Sequence, residues 1–170
     1  MPTPEPASPP PMGDALRPVA DADSAQLIAL VGAAYAEYPG CVLDLPGLDA
    51  DLLAPASVAA EHGATHWVLE DEGHVVACVG LGALAEGRSE LKRLYVAASH
   101  RRRGLASALV GFVEDRAHGN GADVMELWSD TRFLDAHRLY ERHGYLRTGE
   151  TRKLHDPSET TEFRFEKPLR

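Results

Sequence analysis

One segment constrains the fold of this 170-residue chain more than any other. Glu90-Leu-Lys-Arg-Leu-Tyr-Val96 runs into Ala-Ala-Ser-His-Arg-Arg-Arg, which gives way to Gly104-Leu-Ala-Ser-Ala-Leu. The first part predicts a strand ending near Val96. The last opens a helix over 104–118, because Leu105, Ala108, Leu109, Phe112 and Val113 fall on one helical face. A helix that starts straight after a short loop presents unpaired N–H groups and the positive end of its dipole, an arrangement suited to an anion. Gly104 and Ala106 lack bulk, so a phosphate can approach the main chain, and Arg101, Arg102 and Arg103 add positive charge. These features predict a site the size of a diphosphate. A solvated basic turn ahead of a packed helix is the other reading of the same residues.

The rest of the chain builds around that segment. Residues 1–14 hold six of the twelve prolines and almost nothing a core can use, which predicts an extended or disordered tail before a single domain over 15–170. Leu16 to Val19 reads as a short strand. Asp23 with Gln26 has the spacing of a capping box, ahead of an apolar stripe through Leu27, Ile28, Val31, Ala34 and Tyr35 that Pro39-Gly40 stops near Tyr38. A loop at 42–48 leads to a helix over 52–62 with Pro55 in its first turn. Strands follow at 65–70, 74–84 and 89–96, the first two joined at Asp71-Glu72-Gly73. After the helix at 104–118, a strand at 123–128, a helix at 134–143 ended by Gly144, and strands at 145–155 and 161–165 complete the chain. This order predicts a mixed α+β domain around one twisted sheet.

Charge and composition exclude several classes. With 26 acidic and 17 basic residues the formal net charge is -9, which repels phosphate backbones and argues against a nucleic-acid partner. The same charge accords with a cationic acceptor and equally with simple solubility. The apolar run from Val75 to Ala85 is too short to span a bilayer and holds glycines, so no membrane partner is expected. The amino terminus shows no secretory pattern, and Cys41 and Cys78 have no metal-ligand spacing, so a cytoplasmic protein with two reduced thiols is expected, a single disulfide being the other reading of the pair.

Arg101-x-x-Gly104-x-Ala106, placed between a Leu-Tyr-Val strand end and an amphipathic helix, resembles the acyl-CoA pyrophosphate loop of the GNAT superfamily of N-acetyltransferases. Ala136-His-Arg-Leu-Tyr140-Glu-Arg-His-Gly144-Tyr145 is similar to the end of that family's later helix, and the element order from Leu16 to Phe165 also follows it. The resemblance implies a mostly antiparallel, mixed sheet of about six or seven strands flanked by about four helices. It implies acetyl-CoA as acyl donor, no metal, and a small-molecule or peptide amine as acceptor, attacked directly in a ternary complex. It is compatible with a homodimer.

Site roles follow from the same resemblance. Main-chain groups of Leu94, Tyr95 and Val96 would bind the pantetheine arm, with the Val96 N–H polarising the thioester carbonyl. Arg101, Arg102, Arg103, Gly104, Leu105, Ala106 and Ser107 would form the diphosphate loop. Tyr140 stands where the family commonly protonates the departing sulfur. Strand alternation would put Glu90, Lys92, Leu94 and Val96 on one face, with Glu90 turned toward the acceptor as general base or, alternatively, in a solvent-facing charge pair. Asp130 is a rival base or an acceptor contact. Variable loops suggest Tyr35, Tyr38 and Asp44, and the final hairpin His155, Asp156 and Glu162, as acceptor residues. Phe133 replaces an asparagine that often contacts pantetheine, a task open to Ser129 or Asp130. A non-catalytic acyl-CoA-binding sensor or scaffold is the competing function, because it needs Arg101, Gly104 and Ala106 but neither Tyr140 nor Glu90.

Overall fold

The computed structural model describes residues 15–170, so the proline-rich segment 1–14 lies outside the described residues. The observed order is β1 (Leu16–Pro18), α1 (Ser24–Ala36), α2 (Pro55–Glu61), β2 (Ala64–Asp71), β3 (His74–Ala83), β4 (Arg88–Val96), α3 (Leu105–Gly119), β5 (Val124–Asp130), α4 (Leu134–Arg142), β6 (Leu146–Lys153) and β7 (Thr161–Pro168). Among the described residues the strands form one sheet in the order β1-β2-β3-β4-β5-β7-β6. Its ladders are antiparallel except between β4 and β5, which run parallel. The mixed α+β architecture is therefore the one the element order predicts.

Two local expectations change. Asp23 and Gln26 do not form a capping box on α1, which has no side-chain cap. Arg17 on β1 takes the Asp23 carboxylate at 2.8 and 2.9 Å, and the Gln26 amide oxygen accepts the Val75 N–H at 2.7 Å. The same carboxylate accepts the Ala20 N–H at 2.8 Å, so its local bond closes the 3-10 turn 21–23 ahead of α1 rather than capping α1 itself. The helix expected from 52 begins at Pro55, where proline suits a first turn, and residues 50–53 form a 3-10 turn instead. The Asp21 carboxylate caps α2, accepting the Ala56 and Ser57 N–H groups at 2.9 Å each.

The sheet divides two cores. On one face Leu91, Val96, Met125, Leu127 and Phe165 pack with Leu109, Val110 and Val113 of α3 and with Leu139 and Tyr140 of α4. On the other, Val68, Val75 and Cys78 pack with Leu27, Leu30 and Val31 of α1. The second core covers only the β2–β4 half of its face. Beyond it the sheet carries a ladder of charge in which Arg88 and Arg164 both bind Glu126, at 3.0 and 3.2 Å.

Candidate active site

The decisive local feature is a bulge in β4. Cys78 pairs with Tyr95 and Gly80 with Lys92, so Arg93 and Leu94 together stand opposite Val79 alone. Arg93 adopts a positive φ of 50° to make it. A bulge bends its strand and raises its twist. The β4–β5 ladder accordingly stops at Glu90 opposite Glu126, although β4 runs on to Val96 and β5 to Asp130. The bulge also corrects the alternation expected from sequence. Leu94 and Val96 join Leu91 on the α3 face, while Tyr95 packs with the α1 core. Glu90 and Lys92 therefore do not share a face with Leu94 and Val96.

Where β4 and β5 part, a groove of about 730 Å³ passes through the sheet. Leu91, Leu94, Ala136 and Tyr140 line it from the helix α3/α4 side, and His66, Glu90, Lys92 and Trp128 line it from the other. Tyr140 is buried, which pushes its phenol well above the ordinary range and keeps it protonated. Burial likewise raises the Glu90 carboxyl, and the Lys92 ammonium, 3.8 Å away, opposes that rise. The Ala97 N–H donates to the Val76 carbonyl at 2.8 Å. Antiparallel alternation therefore turns the Val96 N–H and carbonyl away from β3, toward the space that β5 has vacated. The Val96 carbonyl indeed accepts from Arg101 Nε at 3.0 Å.

At the start of α3, Gly104 has a φ of 75° and no side chain caps the helix. Its first main-chain bond runs from the Ala108 N–H to the Gly104 carbonyl at 3.0 Å, so the N–H groups of Leu105, Ala106 and Ser107 precede the ladder. Arg102 and Arg103 are exposed there, and Arg102 also has a positive φ, 62°. Arg101 is a brace: its guanidinium binds Glu37 at the end of α1 at 2.7 and 2.9 Å. The Ser107 hydroxyl lies 3.0 Å from His143 Nε2, tying the ends of α3 and α4 together.

The sequence-named acceptor residues divide. Tyr35 lines the groove, its hydroxyl 3.3 Å from both the Tyr95 hydroxyl and Asp49, and burial pushes it up to about 12. Asp130 lines it too, but Arg132 occupies its carboxylate at 2.8 and 3.0 Å. Asp156 and Glu162 are on the wall, whereas Asp44 closes its own turn onto the Leu48 N–H and His155 is exposed outside the groove. Phe133 packs on Tyr38 and Tyr35, with centroids 4.7 and 6.2 Å away, so it buttresses α1. Ser129 is buried on the groove wall.

Sequence reasoning missed His66 and Arg152. The signal for His66 was the pair of glycines at 80 and 82 in an otherwise apolar strand. Gly80 stands opposite His66, and a Cβ there would meet the imidazole at 2.6 Å, so the glycine is the notch in which the ring lies. Burial lowers His66 to about 4 and keeps it neutral. The two cysteines are free and buried.

Comparison with known proteins follows the same lines. Human N-acetyltransferase 8 is 37% identical over 100 residues, 56% of this chain and 44% of that protein. Zebrafish (Danio rerio) N-acetylaspartate synthetase is 31% identical over 117 residues, 67% of this chain and 39% of that protein. The chain thus spans less than half the length of these curated relatives. An N-acetyltransferase from Staphylococcus aureus Mu50 superposes with a TM-score of 0.71 at 18% identity, covering 91% of this chain and 98% of that one. Salmonella typhimurium yncA, solved with its cofactor acetyl-CoA, does so with a TM-score of 0.69 at 19% identity, covering 91% and 93%. The model of the Acetyltransferase (GNAT) family matches residues 30–145, well over half of the sequence. The chain belongs to the GNAT acetyltransferase family.

Proposed function

We propose that this protein transfers an acetyl group from acetyl-CoA to a primary amine by direct attack in a ternary complex. The observation that carries the reading is the groove through the β4–β5 opening, which gives one cavity a protonated tyrosine from one side of the sheet and a half-buried carboxylate from the other. The relatives N-acetyltransferase 8 and N-acetylaspartate synthetase, by their names, support amine acetylation.

The uncapped start of α3 fits a diphosphate, since its free N–H groups and the exposed Arg102 and Arg103 offer positive charge with no competing side chain. Acetyl-CoA, when bound, supplies an acetyl group activated as a thioester. In this reading the main chain of Leu94, Tyr95 and Val96 runs beside the pantetheine arm as a neighbouring strand would. The Val96 N–H donates to the carbonyl oxygen as negative charge grows on it. Glu90 accepts the amine's proton, directly or through one water, and Tyr140 gives its phenolic proton to the departing sulfur. The N–C bond forms as the C–S bond breaks, and the two proton movements leave neutral products. Two unbridged cysteines accord with a reducing, cytoplasmic setting.

Calorimetric titration with acetyl-CoA tests the donor half of the proposal. The wild-type protein should bind, and Gly104→Glu should not, because it adds bulk and negative charge where the phosphates lie and strains a left-handed residue. Equal affinity of the two proteins would show that the loop is not the diphosphate site.

A further inference from the structure

The acceptor half of the groove carries a charge pattern that narrows the acceptor's chemistry, on the acetyl-transfer reading given above. Lys92 Nζ lies 3.8 Å from Glu90 Oε2, beyond hydrogen-bond range, so the ammonium keeps its donors. Arg152, on the edge strand β6, reaches across β7 to the same place. It gives Nε to Glu162 at 2.7 Å and lays its guanidinium over the Trp128 ring, 4.3 Å from the centroid. That stacking fixes the plane of the fork and leaves its two terminal nitrogens without a hydrogen-bond partner among the described residues. Both cations act on the Glu90 carboxylate.

The groove-wall carboxylates other than Glu90 are, by contrast, already engaged. Asp49 and Asp51 are taken by Arg93, Asp130 by Arg132, and Asp156 by the Thr160 hydroxyl and N–H. His66 is neutral. Although acids outnumber bases on the wall, the unspent hydrogen-bonding capacity beside Glu90 is therefore cationic. Glu162 and Glu90 offset the two charges, so the cations differ from their surroundings in unmatched donors rather than in net charge, and a plain alkylamine or a polyamine would leave those donors unmatched. A molecule with a carboxylate next to its amine satisfies both cations and sets the nitrogen toward Glu90.

We propose that the acceptor is a free α-amino acid, its carboxylate held between Lys92 and the terminal nitrogens of Arg152, and its amine presented to Glu90. The carboxylate takes no part in bond making. A peptide N-terminus is a poorer match, since an amide replaces the anion that the two cations seek.

The test is a set of matched acceptors with saturating acetyl-CoA, followed by thiol release. The twenty amino acids are screened first, then the carboxamides and the decarboxylated amines of the two fastest, with rates expressed per neutral amine. The acid should exceed both analogues in kcat/KM by at least about tenfold, the scale of a lost charge-assisted bond. In Lys92→Met and Arg152→Gln, checked for wild-type Tm, that ratio should fall toward one through a rise in KM for the acid. A wild-type ratio near one, or in favour of the amide or the amine, overturns the amino-acid assignment while acetyl transfer stands. Thiol release from none of the compounds, nor from spermidine or a peptide N-terminus, removes the acetyl-transfer reading and this assignment with it.

Discussion

Arg93 Nη1 lies 2.9 Å from Asp49 Oδ1, and its Nη2 lies 2.6 Å from Asp51 Oδ1, so the residue that makes the β4 bulge also holds the loop that closes one end of the groove. Burial alone would lower the guanidinium's pKa; the neighbouring anions more than reverse this and hold it charged. Removing the cation leaves Asp49, itself buried, without a counter-charge. Arg93→Met should therefore cost about 3–5 kcal/mol in urea unfolding, and Asp49→Asn in the same chain should recover part of the loss. A loss below about 1 kcal/mol would show that the pair is effectively solvated.

The His66 ring in its Gly80 notch makes two further outcomes measurable. Gly80→Ala should lower Tm, and His66→Ala in the same protein should restore much of it, because the clash needs both partners. The folded imidazole titrates near 4, below its unfolded value of 6.5. The unfolded chain thus binds a proton that the folded one refuses, so this part of the stability is complete above about pH 6.5 and declines as the pH falls toward 4. Replacing His66 with Asn should flatten that decline; an unchanged pH–Tm curve would count against a buried neutral ring.

Much of this was legible in the sequence, and most of what was not has a common cause. The element order, the loop at Arg101–Ser107 and the position of Tyr140 follow from periodicity, glycines and motif, all of which are local. The bulge at Arg93 is not local: it arises from pairing against β3, and it reverses the facing of Leu94 and Val96 relative to simple alternation. The capping box on α1 failed because Asp23 already belongs to the preceding turn, where it accepts the Ala20 N–H, and because Arg17 reaches it from another element. Arg152 and Trp128 are 24 positions apart in sequence and meet only through sheet order, whereas Asp44 and His155 sat in plausible loops whose turns point them elsewhere.

Burial raises Glu90, against the pull of Lys92 and Arg152, so as general base it ionises at a higher pH than an unperturbed glutamate. The acid limb of kcat should lie above 4.5, the usual value for a glutamate. Glu90→Gln should abolish that limb and reduce kcat by roughly 10²-fold or more. Because an ionised, desolvated carboxylate costs stability at neutral pH, the variant's Tm at pH 7 should hold or rise. A variant with wild-type kcat and an unaltered limb would remove Glu90 from the mechanism.

Tyr140 is held protonated by its surroundings, so its acid role should be constant across the neutral range. Tyr140→Phe should leave acetyl-CoA affinity within about twofold and lower kcat by roughly 10²-fold. Acceptors compared in the two proteins should slow by similar factors, since the proton goes to the sulfur whichever amine attacks. Retention of full turnover at every pH would reassign Tyr140 to packing against Tyr145 and Phe165, its neighbours in the core.

The most direct test of the account is release of free thiol from acetyl-CoA by the wild-type protein, with and without an amine panel that includes the amino acids. The account predicts binding of acetyl-CoA and release that depends on amine, with the acetylated acceptor recovered by mass spectrometry. Binding without release from any amine would leave an acyl-CoA-binding module rather than an enzyme, and would contradict the claim that the groove brings Glu90 and Tyr140 together for transfer.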